Sequence, residues 1–322
     1  MLQTTTLTSA NKSLVQALNS VFVERLVTGQ ESEVLEFLSQ RPIHTVAMLS
    51  LIRDNGLASP LNRGIFYSCR DINGHIEGVA LVGHATLMET VSDRALLKLA
   101  EVAQACPYTH MIMGEQTQVA DFWIHYSQDG RKPRLACREL LFELRSPCET
   151  NDLPASLRLA TEDELELVMP VQAQLAFEES GIDPLKVDPV GFRERCLRRI
   201  QQGRTWVLVE NASLVFKADV IAQSAEVIYL EGIWIDENRR NDDSAVCCMS
   251  ELSQKLLEEA KSICLLVNEN NKRAQAFYRK CGFLFRATYE TIFLPRKEYF
   301  RQRTQAFSRT SVLNKGTRLT SP

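Results

Sequence analysis

The positions of the histidines limit which groups can move a proton in the second half of this chain. The 322 residues include five histidines, all within the first 125: His44, His75, His84, His110 and His125. General bases in enzymes are most often histidine, with glutamate and aspartate next. A base in the second half is therefore a carboxylate, a bound water, or a group that reaches across from the first half.

The spacing of the histidines and cysteines argues against a metal site. No two histidines form an H-x-x-H or H-x-x-x-H pair, and the nine cysteines contain no C-x-x-C pair. Structural zinc sites depend on such close pairs of ligands. We therefore predict no metal cofactor. The scattered cysteines are also typical of a reducing, cytoplasmic compartment.

Composition and charge narrow the class of protein further. The chain is 45% hydrophobic and 24% charged, and it is long enough for two domains. Its 37 Lys and Arg residues against 40 Asp and Glu give a net charge of -3, which offers no reason to expect a nucleic-acid partner. No run approaches the roughly 18 apolar residues of a membrane span. We expect a cytoplasmic protein that acts on a small molecule or peptide; it could form oligomers.

The hydrophobic periodicity predicts two α/β units joined by a linker. In the first, residues 1–147, helices are predicted at 31–39, 45–54, 93–105 and 116–126, and strands at 65–69, 76–82, 110–113 and 136–144. Residues 148–155, rich in Pro, Asn and Asp, are the predicted linker. The tail at 296–322 is basic and is predicted to be partly disordered.

The second unit, residues 156–295, has a distinct order of elements. Helices are predicted at 162–179, 189–201, 243–260 and 272–280, with a loop at 181–188, and strands at 157–160, 205–210, 214–221, 227–235, 263–267 and 283–293. The helix at 243–260 carries an apolar stripe at Ala245, Met249, Leu252 and Leu256. Such a stripe packs one face of the helix on a sheet.

A motif in the second unit resembles the GNAT superfamily of acyltransferases. Asn271, Ala274, Tyr278, Gly282 and Phe283 stand in the order of the family pattern N-x-x-A-x-x-x-Y-x-x-x-G-F. The order of strands and helices from 157 to 294 is similar to the family's as well. The resemblance implies a mixed, mostly antiparallel sheet flanked by helices, an α/β (α+β) fold. The similar order in the first unit implies a degenerate repeat of the same fold.

The resemblance also places a cofactor loop between the strand at 229–235 and the long helix. In the family, the backbone N–H groups of this loop and of the helix amino terminus bind the pyrophosphate of acetyl-CoA or another acyl-CoA. The residues implied to bind the cofactor are Ile233, Trp234, Ile235, Arg240, Asn241, Asp242, Asp243, Ser244, Ala245 and Asn271.

The loop departs from the family pattern R/Q-x-x-G-x-G/A. Asp243 stands at the first glycine, and between residues 204 and 294 the only glycines are Gly232 and Gly282. A carboxylate about 4 Å from a phosphate would cost roughly 1 kcal/mol in water and about 4 kcal/mol at an effective dielectric of about 20. An aspartate is also a good helix N-cap, and so the carboxylate of Asp242 or Asp243 could equally replace the anion.

The resemblance assigns roles in proton transfer to two residues. Glu231, on the strand before the loop, corresponds to the family's general base, and Tyr278 corresponds to the general acid for the departing thiolate. An ion-paired or merely cleft-lining Glu231 and a core Tyr278 are the structural alternatives. Asn271 could simply cap its helix. For Glu178 and Glu179, at the end of a helix that lines the acceptor site in relatives, a solvated helix end is favoured.

Two functions are compatible with this pattern. The leading hypothesis is an N-acetyltransferase that moves an acyl group from CoA to a primary amine by direct attack. The alternative is a non-catalytic GNAT-fold module for regulation or assembly, in which the CoA loop has decayed. The aspartates of the loop are the sequence feature that separates the two.

Overall fold

The same order of elements is repeated in the two halves of the chain. The computed structural model describes residues 21–147, 157–239 and 244–295. The elements of the first half are β1 (Val21–Arg25), α1 (Glu31–Leu38), α2 (Pro42–Asn55), β2 (Gly64–Asp71), β3 (Ile76–Gly83), β4 (Ala85–Thr90), α3 (Asp93–Ala105), β5 (Met111–Glu115), α4 (Gln116–Tyr126) and β6 (Leu135–Leu144).

The second half follows the same order with one extra helical turn. Its elements are β7 (Arg158–Leu159), α5 (Leu165–Ser180), α6 (Pro184–Val187), α7 (Pro189–Gln201), β8 (Thr205–Glu210), β9 (Ser213–Gln223), β10 (Ile228–Ile235), α8 (Ser244–Leu257), β11 (Ile263–Asn268), α9 (Lys272–Lys280) and β12 (Leu284–Phe293). This repeat agrees with the one predicted from the sequence.

All twelve strands form one continuous sheet, and its order is symmetric about its centre. The order is β1-β2-β3-β4-β5-β12-β6-β11-β10-β9-β8-β7. The pairs β4–β5 and β10–β11 are parallel and the other pairs are antiparallel. β6, from the first half, lies between β11 and β12 of the second half. The fold is thus the predicted mixed, mostly antiparallel sheet, but its two halves share their central strands.

Helices cover both faces of the sheet. On β3, Val79 and Leu81 pack with the α1 and α2 side, whereas Ala80 and Val82 pack with α3 and α4. This alternation is the period-2 pattern of a strand that is buried on both faces. In the second half, α5 and α7 lie on one face and α8 on the other.

Helix α2 of the first half also covers strands of the second half. Val46 of α2 packs in one cluster with Tyr229 of β10 and Tyr289 of β12. At the end of α2, the guanidinium of Arg204 donates to both carboxylate oxygens of Asp54, at 2.7 and 2.9 Å. The first half therefore forms one wall of the region above β10.

Three elements differ from the sequence prediction. β1 and β4 were not predicted, because β1 has only five residues and β4 follows β3 after His84 alone, without a turn signal. The predicted loop at 181–188 contains the short helix α6, which Asp183 caps by accepting a hydrogen bond from the amide of Leu185.

Some predicted segments lie outside the described residues. These are the linker at 148–155 and the basic tail at 296–322. The division of the chain into two domains stays a prediction. Within the described ranges, no helix has the length and apolar character needed to cross a bilayer.

Candidate active site

The candidate site is the place where two parallel strands separate. β10 and β11 pair at Ile228–Ile263, Tyr229–Cys264 and Leu230–Leu265, and among the described residues they form no pair beyond this point. β10 nevertheless continues to Ile235 and β11 to Asn268. We call the opening between the two diverging strands the strand fork. Glu231 is the first residue of β10 inside it.

A bulge in β10 shapes the fork. The register between β10 and β9 shifts between Glu231 and Trp234, and Gly232 has a φ of +60°. A Cβ on Gly232 would lie 2.8 Å from Oε1 of Gln172 and 3.0 Å from Nζ of Lys217. Only glycine adopts this conformation without strain and also fits this space. The bulge displaces β10 at the point where the fork opens.

Buried charges hold this bulge in place. Nζ of Lys217, whose side chain is 0% exposed, donates to the carbonyl of Gly232 at 3.2 Å, to Oε1 of Gln172 at 2.7 Å and to Oδ2 of Asp219 at 2.6 Å. Burial lowers the pKa of Lys217, and the neighbouring Asp219 carboxylate opposes this shift. The ammonium group thus joins β9, α5 and the bulge.

Asp219 is the buried centre of this network. Besides Lys217, it accepts hydrogen bonds from the guanidinium of Arg199 at 2.7 Å and from the hydroxyl of Thr205 at 2.9 Å. Burial alone would raise the pKa of Asp219, but Lys217 and Arg199 outweigh it and lower the pKa. Three donors therefore keep the carboxylate ionised in a region without water access.

Glu231 lies beside this network without joining it. Its side chain is half-buried and forms no hydrogen bond with the described residues. Burial raises the pKa of Glu231 above its ordinary value of 4.5, whereas Arg199 opposes the shift. A carboxylate with a raised pKa is a stronger base, which suits a group that must take a proton near neutral pH. Among the described residues Glu231 has no ion-pair partner, and its role as a base stays a prediction.

Two further carboxylates, Glu139 and Glu179, interact through their charges with Glu231, and the sequence analysis had named only Glu179. Glu139 lies on β6 and accepts a hydrogen bond from the hydroxyl of Thr291 at 2.6 Å. Burial raises the pKa of Glu139, the hydrogen bond from Thr291 opposes this, and the charge of Glu231 adds to it. β6 belongs to the first half of the chain. A strand of the first half thus contributes a carboxylate to the site.

Glu179, in the last turn of α5, is the third carboxylate. Desolvation, followed by the charges of Glu231 and Glu139, raises the pKa of Glu179 to about 8. Because the side chain is exposed, solvent moderates this shift. The exposure of Glu179 and Glu178 agrees with the predicted solvated helix end, where Glu178 accepts a hydrogen bond from Gln174 at 2.8 Å.

Tyr229 lies among these carboxylates. It is only 9% exposed, and its hydroxyl has no hydrogen-bond partner among the described residues. Burial, and then the charges of Glu231, Glu139 and Glu179, raise its pKa well above the ordinary value. The hydroxyl therefore stays protonated and is available to donate a hydrogen bond.

Tyr278 is packed by aromatic rings near the fork. Its ring lies 5.3 Å from that of Phe277 and 5.7 Å from that of Phe283, measured between centroids, with both contacts edge-to-face. Burial, and then Cys281, raise the pKa of Tyr278. The side chain combines the core packing foreseen as the alternative with a hydroxyl that stays protonated, and the role of general acid stays a prediction.

The residues of β10 that were predicted to contact the cofactor differ in the direction of their backbone groups. Asp236 donates its amide to the carbonyl of Val215 on β9, and so Trp234 also directs its backbone towards β9. By the same alternation, Ile235 directs its backbone groups away from β9, and Ile233 lies within the bulge between Glu231 and Trp234. Trp234 instead packs its side chain against the α5 and α7 cluster.

A cavity lies at the amino end of α8. It is lined by Leu208, Glu210, Val215, Phe216, Ile235, Ser244, Ala245 and Cys248. Free N–H groups and a positive dipole end at a helix amino terminus favour anions. Arg240, Asn241, Asp242 and Asp243, predicted to form the rest of this loop, lie outside the described residues. The helix end favours an anion here, while the described lining also contains the carboxylate of Glu210.

Asn271 caps α9. Its Oδ1 accepts a hydrogen bond from the amide of Ala274 at 3.0 Å, which is the capping role foreseen as an alternative. Gln275, 3% exposed, ties the same helix to β11 through the carbonyls of Asn268 and Glu269. The motif around residue 271 therefore fixes α9 against the end of β11.

The histidine that reaches across from the first half contacts a different part of the second half. Nδ1 of His44, on α2, lies 2.9 Å from the hydroxyl of Tyr289 on β12. Burial, and then Arg41, lower the pKa of His44, and Glu115 opposes this. No contact between His44 and Glu231 is found in the described parts of the chain. In these same parts, no group of three or more His, Cys, Asp or Glu could hold a metal ion.

We predict that Gly232→Ala destabilises the protein by about 2 to 5 kcal/mol, because the new methyl group adds left-handed strain and a clash. Gly203→Ala is the matched control, since Gly203 has a φ of +65° but its Cβ would meet only Leu159, at 3.5 Å. The control should lose only about 1 to 2 kcal/mol. Chemical denaturation measures both, and equal losses would contradict the role of the crowded bulge.

We also predict that Lys217→Met lowers the free energy of unfolding by about 3 to 5 kcal/mol, because Asp219 loses a buried partner and Gly232 its anchor. Lys261→Met is the control: Lys261 also pairs with a glutamate, Glu226, at 2.8 Å, but on the surface. The control should leave the denaturation midpoint unchanged. A similar midpoint for both variants would show that the buried network is dispensable.

One family model matches this part of the chain. It is described as the acetyltransferase (GNAT) family and covers residues 176–283. The matched segment contains Glu179, both strands of the fork and Tyr278. No curated protein gives a significant match.

Solved structures share the fold over most of the chain. A Drosophila protein solved as a structural genomics target superposes with a TM-score of 0.62 at 10% identity, covering 85% of this chain and 99% of its own. A tandem GNAT protein from the clavulanic acid biosynthesis pathway gives 0.52 at 12% identity, covering 86% and 100%. A GCN5-related N-acetyltransferase from Sphaerobacter thermophilus gives 0.52 at 12% identity, covering 86% and 96%.

At such identities the structural likeness shows the fold, whereas the family match covers the strand fork itself. Both agree with the motif around Tyr278 and with the repeated order of elements. Residues 176–283 therefore match the acetyltransferase (GNAT) family, and the described part of the chain shares the fold of solved GNAT structures.

Proposed function

We propose that the chain is an N-acyltransferase that moves an acetyl or similar acyl group from acyl-CoA to a primary amine. The observation that carries this proposal is the strand fork, with an unpaired glutamate of raised pKa at its base. A slot between two diverging strands leaves room for an extended thioester beside the base. Acyl-CoA, when bound, supplies the acyl group as a thioester.

Glu231 prepares the acceptor for attack. An amine enters from water as an ammonium ion, and its nitrogen becomes nucleophilic only after a proton is removed. The carboxylate of Glu231 takes this proton directly or through one water. The charge of the arriving ammonium also stabilises the ionised form of Glu231, because it offsets the burial that raises the pKa.

Two other groups act on the thioester. The backbone N–H of β10 at Ile233 polarises its carbonyl oxygen, where negative charge develops. The hydroxyl of Tyr278 donates towards the departing sulfur. Direct attack needs no covalent bond to the protein, which suits a site whose contribution is positioning and proton transfer.

The cofactor would bind where the described residues and the loop meet. The backbone at Ser244 and Ala245 begins α8, and its helix dipole favours a pyrophosphate at this end. Arg240 and Asn241 of the loop, with Ile233 to Ile235, complete the proposed set. Asn271, occupied as a helix cap, would contact the cofactor only through its remaining amide group. The acceptor is a small molecule or peptide with a primary amine.

The proposal predicts that acetyl-CoA raises the melting temperature of the protein, because a ligand that binds only the folded state stabilises it by mass action. Glu231→Gln should keep this shift but lower kcat by about a hundredfold or more, which is the usual contribution of a general base. In the unchanged protein, kcat/KM should fall as the pH drops through the raised pKa of Glu231, since only the carboxylate form accepts a proton.

Tyr278→Phe provides a companion variant. We expect it to retain the binding of acetyl-CoA and to have a lower kcat. Full activity in Glu231→Gln would remove the base assignment. No thermal shift at millimolar acetyl-CoA, CoA or longer acyl-CoA would favour a non-catalytic module instead.

A second prediction concerns the loop aspartates. Asp243→Gly should tighten acetyl-CoA binding about tenfold or more, because a carboxylate of the same sign as the phosphates is removed from the loop. Asp242→Asn gives a companion measurement in which only the charge changes. Titration calorimetry measures both. Weaker or unchanged binding in Asp243→Gly would show that this aspartate does not oppose the phosphates.

A further inference from the structure

The first half of the chain contains an opening that corresponds to the strand fork. Its parallel strands β4 and β5 pair as far as Leu87–Met113, and among the described residues they form no pair beyond this point. β4 nevertheless continues to Thr90 and β5 to Glu115. We call this opening the first-half fork. Three sets of contacts show that side chains of the protein itself fill it.

A side chain of α4 occupies the slot between the diverging strands. In the orientation that satisfies both of its polar atoms, the side-chain amide of Gln118 donates to the carbonyl of Met88 at 3.0 Å and accepts from the backbone amide of Thr90 at 3.2 Å. Met88 and Thr90 are two residues apart on β4, and so their backbone groups lie on the same edge of the strand. Gln118 thus binds the edge of β4 that faces the opening.

The amino end of α3, which follows β4 after two residues, is also occupied. Ser92 caps this helix by accepting a hydrogen bond from the amide of Ala95 at 3.2 Å, and its hydroxyl donates to Oε2 of Glu77 at 2.5 Å. The guanidinium of Arg94 donates to the other oxygen of Glu77 at 3.1 Å. A carboxylate of the protein therefore lies beside the helix end that would otherwise favour a phosphate.

On the face covered by α2, a guanidinium group lies between the carboxylates of the two strands. Arg41, directly before α2, donates to Glu89 of β4 at 2.9 Å and to Glu115 of β5 at 2.6 Å. The side chain of Glu89 is only 6% exposed. The cavity that remains beside these groups has a volume of about 30 Å³, which is room for about two water molecules. Arg41 therefore neutralises the carboxylates of this fork from within the chain.

The contacts of Arg41 also fix one end of α2. The other end is fixed by Asp54, whose carboxylate accepts two hydrogen bonds from Arg204 of the second half. Between the two ends, Val46 of α2 packs in one cluster with Tyr229 of β10. The helix is thus held at the first-half fork and at β8, and it covers β10 between these points.

We propose that the first-half fork binds no acyl-CoA and serves instead as a clamp, in which Arg41 is a positioning residue that holds α2 above β10. The clamp goes beyond the proposed function, and only its effect on the amine rests on that function. α2 carries neither Glu231 nor Tyr278. A loosened α2 therefore disturbs the fit of the amine more than the transfer of a proton.

Hydrogen exchange followed by mass spectrometry tests the clamp without any substrate. In the double variant Arg41→Met with Glu89→Gln, which leaves no charge on Glu89, the amides of residues 42–55 should exchange about tenfold faster or more, whereas those of α7 should not change. Arg41→Lys should give an intermediate rate, because an ammonium group lacks the planar fork that binds two carboxylates at once.

Arg94→Met is the matched control for hydrogen exchange. The side chain of Arg94 is 39% exposed, against 40% for Arg41, and it also pairs with a glutamate, but on α3, which covers the opposite face of the sheet. The control should leave the exchange of residues 42–55 unchanged. Unchanged exchange of α2 in the double variant, or an equal increase in the control, would overturn the clamp.

Steady-state kinetics with acetyl-CoA and n-alkylamines tests the effect on the amine. Arg41→Lys should raise the KM for the amine by about threefold to tenfold and change kcat by less than about twofold, since the helix acts on binding. Arg94→Met should change neither constant. A fall in kcat at constant KM would contradict a positioning role for Arg41.

Titration calorimetry with acetyl-CoA separates the clamp from the proposed function. We expect one molecule bound per chain, because only the strand fork is open. A second equivalent would overturn the filled first-half fork. If no acetyl-CoA binds and no amine is acetylated, the proposed function fails, and hydrogen exchange of α2 alone decides whether the clamp stands.

Discussion

The buried ion pair between Lys217 and Asp219 determines the shape of the site. Charges this deeply buried are costly to desolvate, and here the cost is offset by hydrogen bonds from Arg199, Thr205 and Lys217. Nζ of Lys217 also donates a hydrogen bond to the carbonyl of Gly232. Because the bulge at Gly232 lies one residue after Glu231, this network sets the position of the proposed base.

The shared sheet gives the first half of the chain a part in the site. β6 fills the space between β11 and β12, and β12 fills the equivalent space between β5 and β6. Through this exchange Glu139 of the first half reaches the fork of the second. Helix α2, also from the first half, packs over Tyr229. The first half thus contributes β6 and helix α2 to the surroundings of β10.

The sequence predicted local structure well and long-range contacts poorly. The helices at 93–105, 116–126, 189–201 and 272–280 begin and end where predicted, because their caps and apolar stripes are local signals. The roles of Glu231 and Tyr278 were predicted through the family resemblance. Glu139 carries no local signal, since its role depends on where β6 lies in the sheet. In the sequence, the bulge was visible only as Gly232 inside a predicted strand. Lys217 and Asp219 were visible only as alternate residues of another predicted strand.

The central claim is that acyl-CoA binds at the strand fork, next to Glu231. A crystal structure of the protein with CoA bound tests this most directly. We predict the CoA sulfur between β10 and β11, within reach of an amine that contacts Glu231. CoA bound elsewhere would contradict the account.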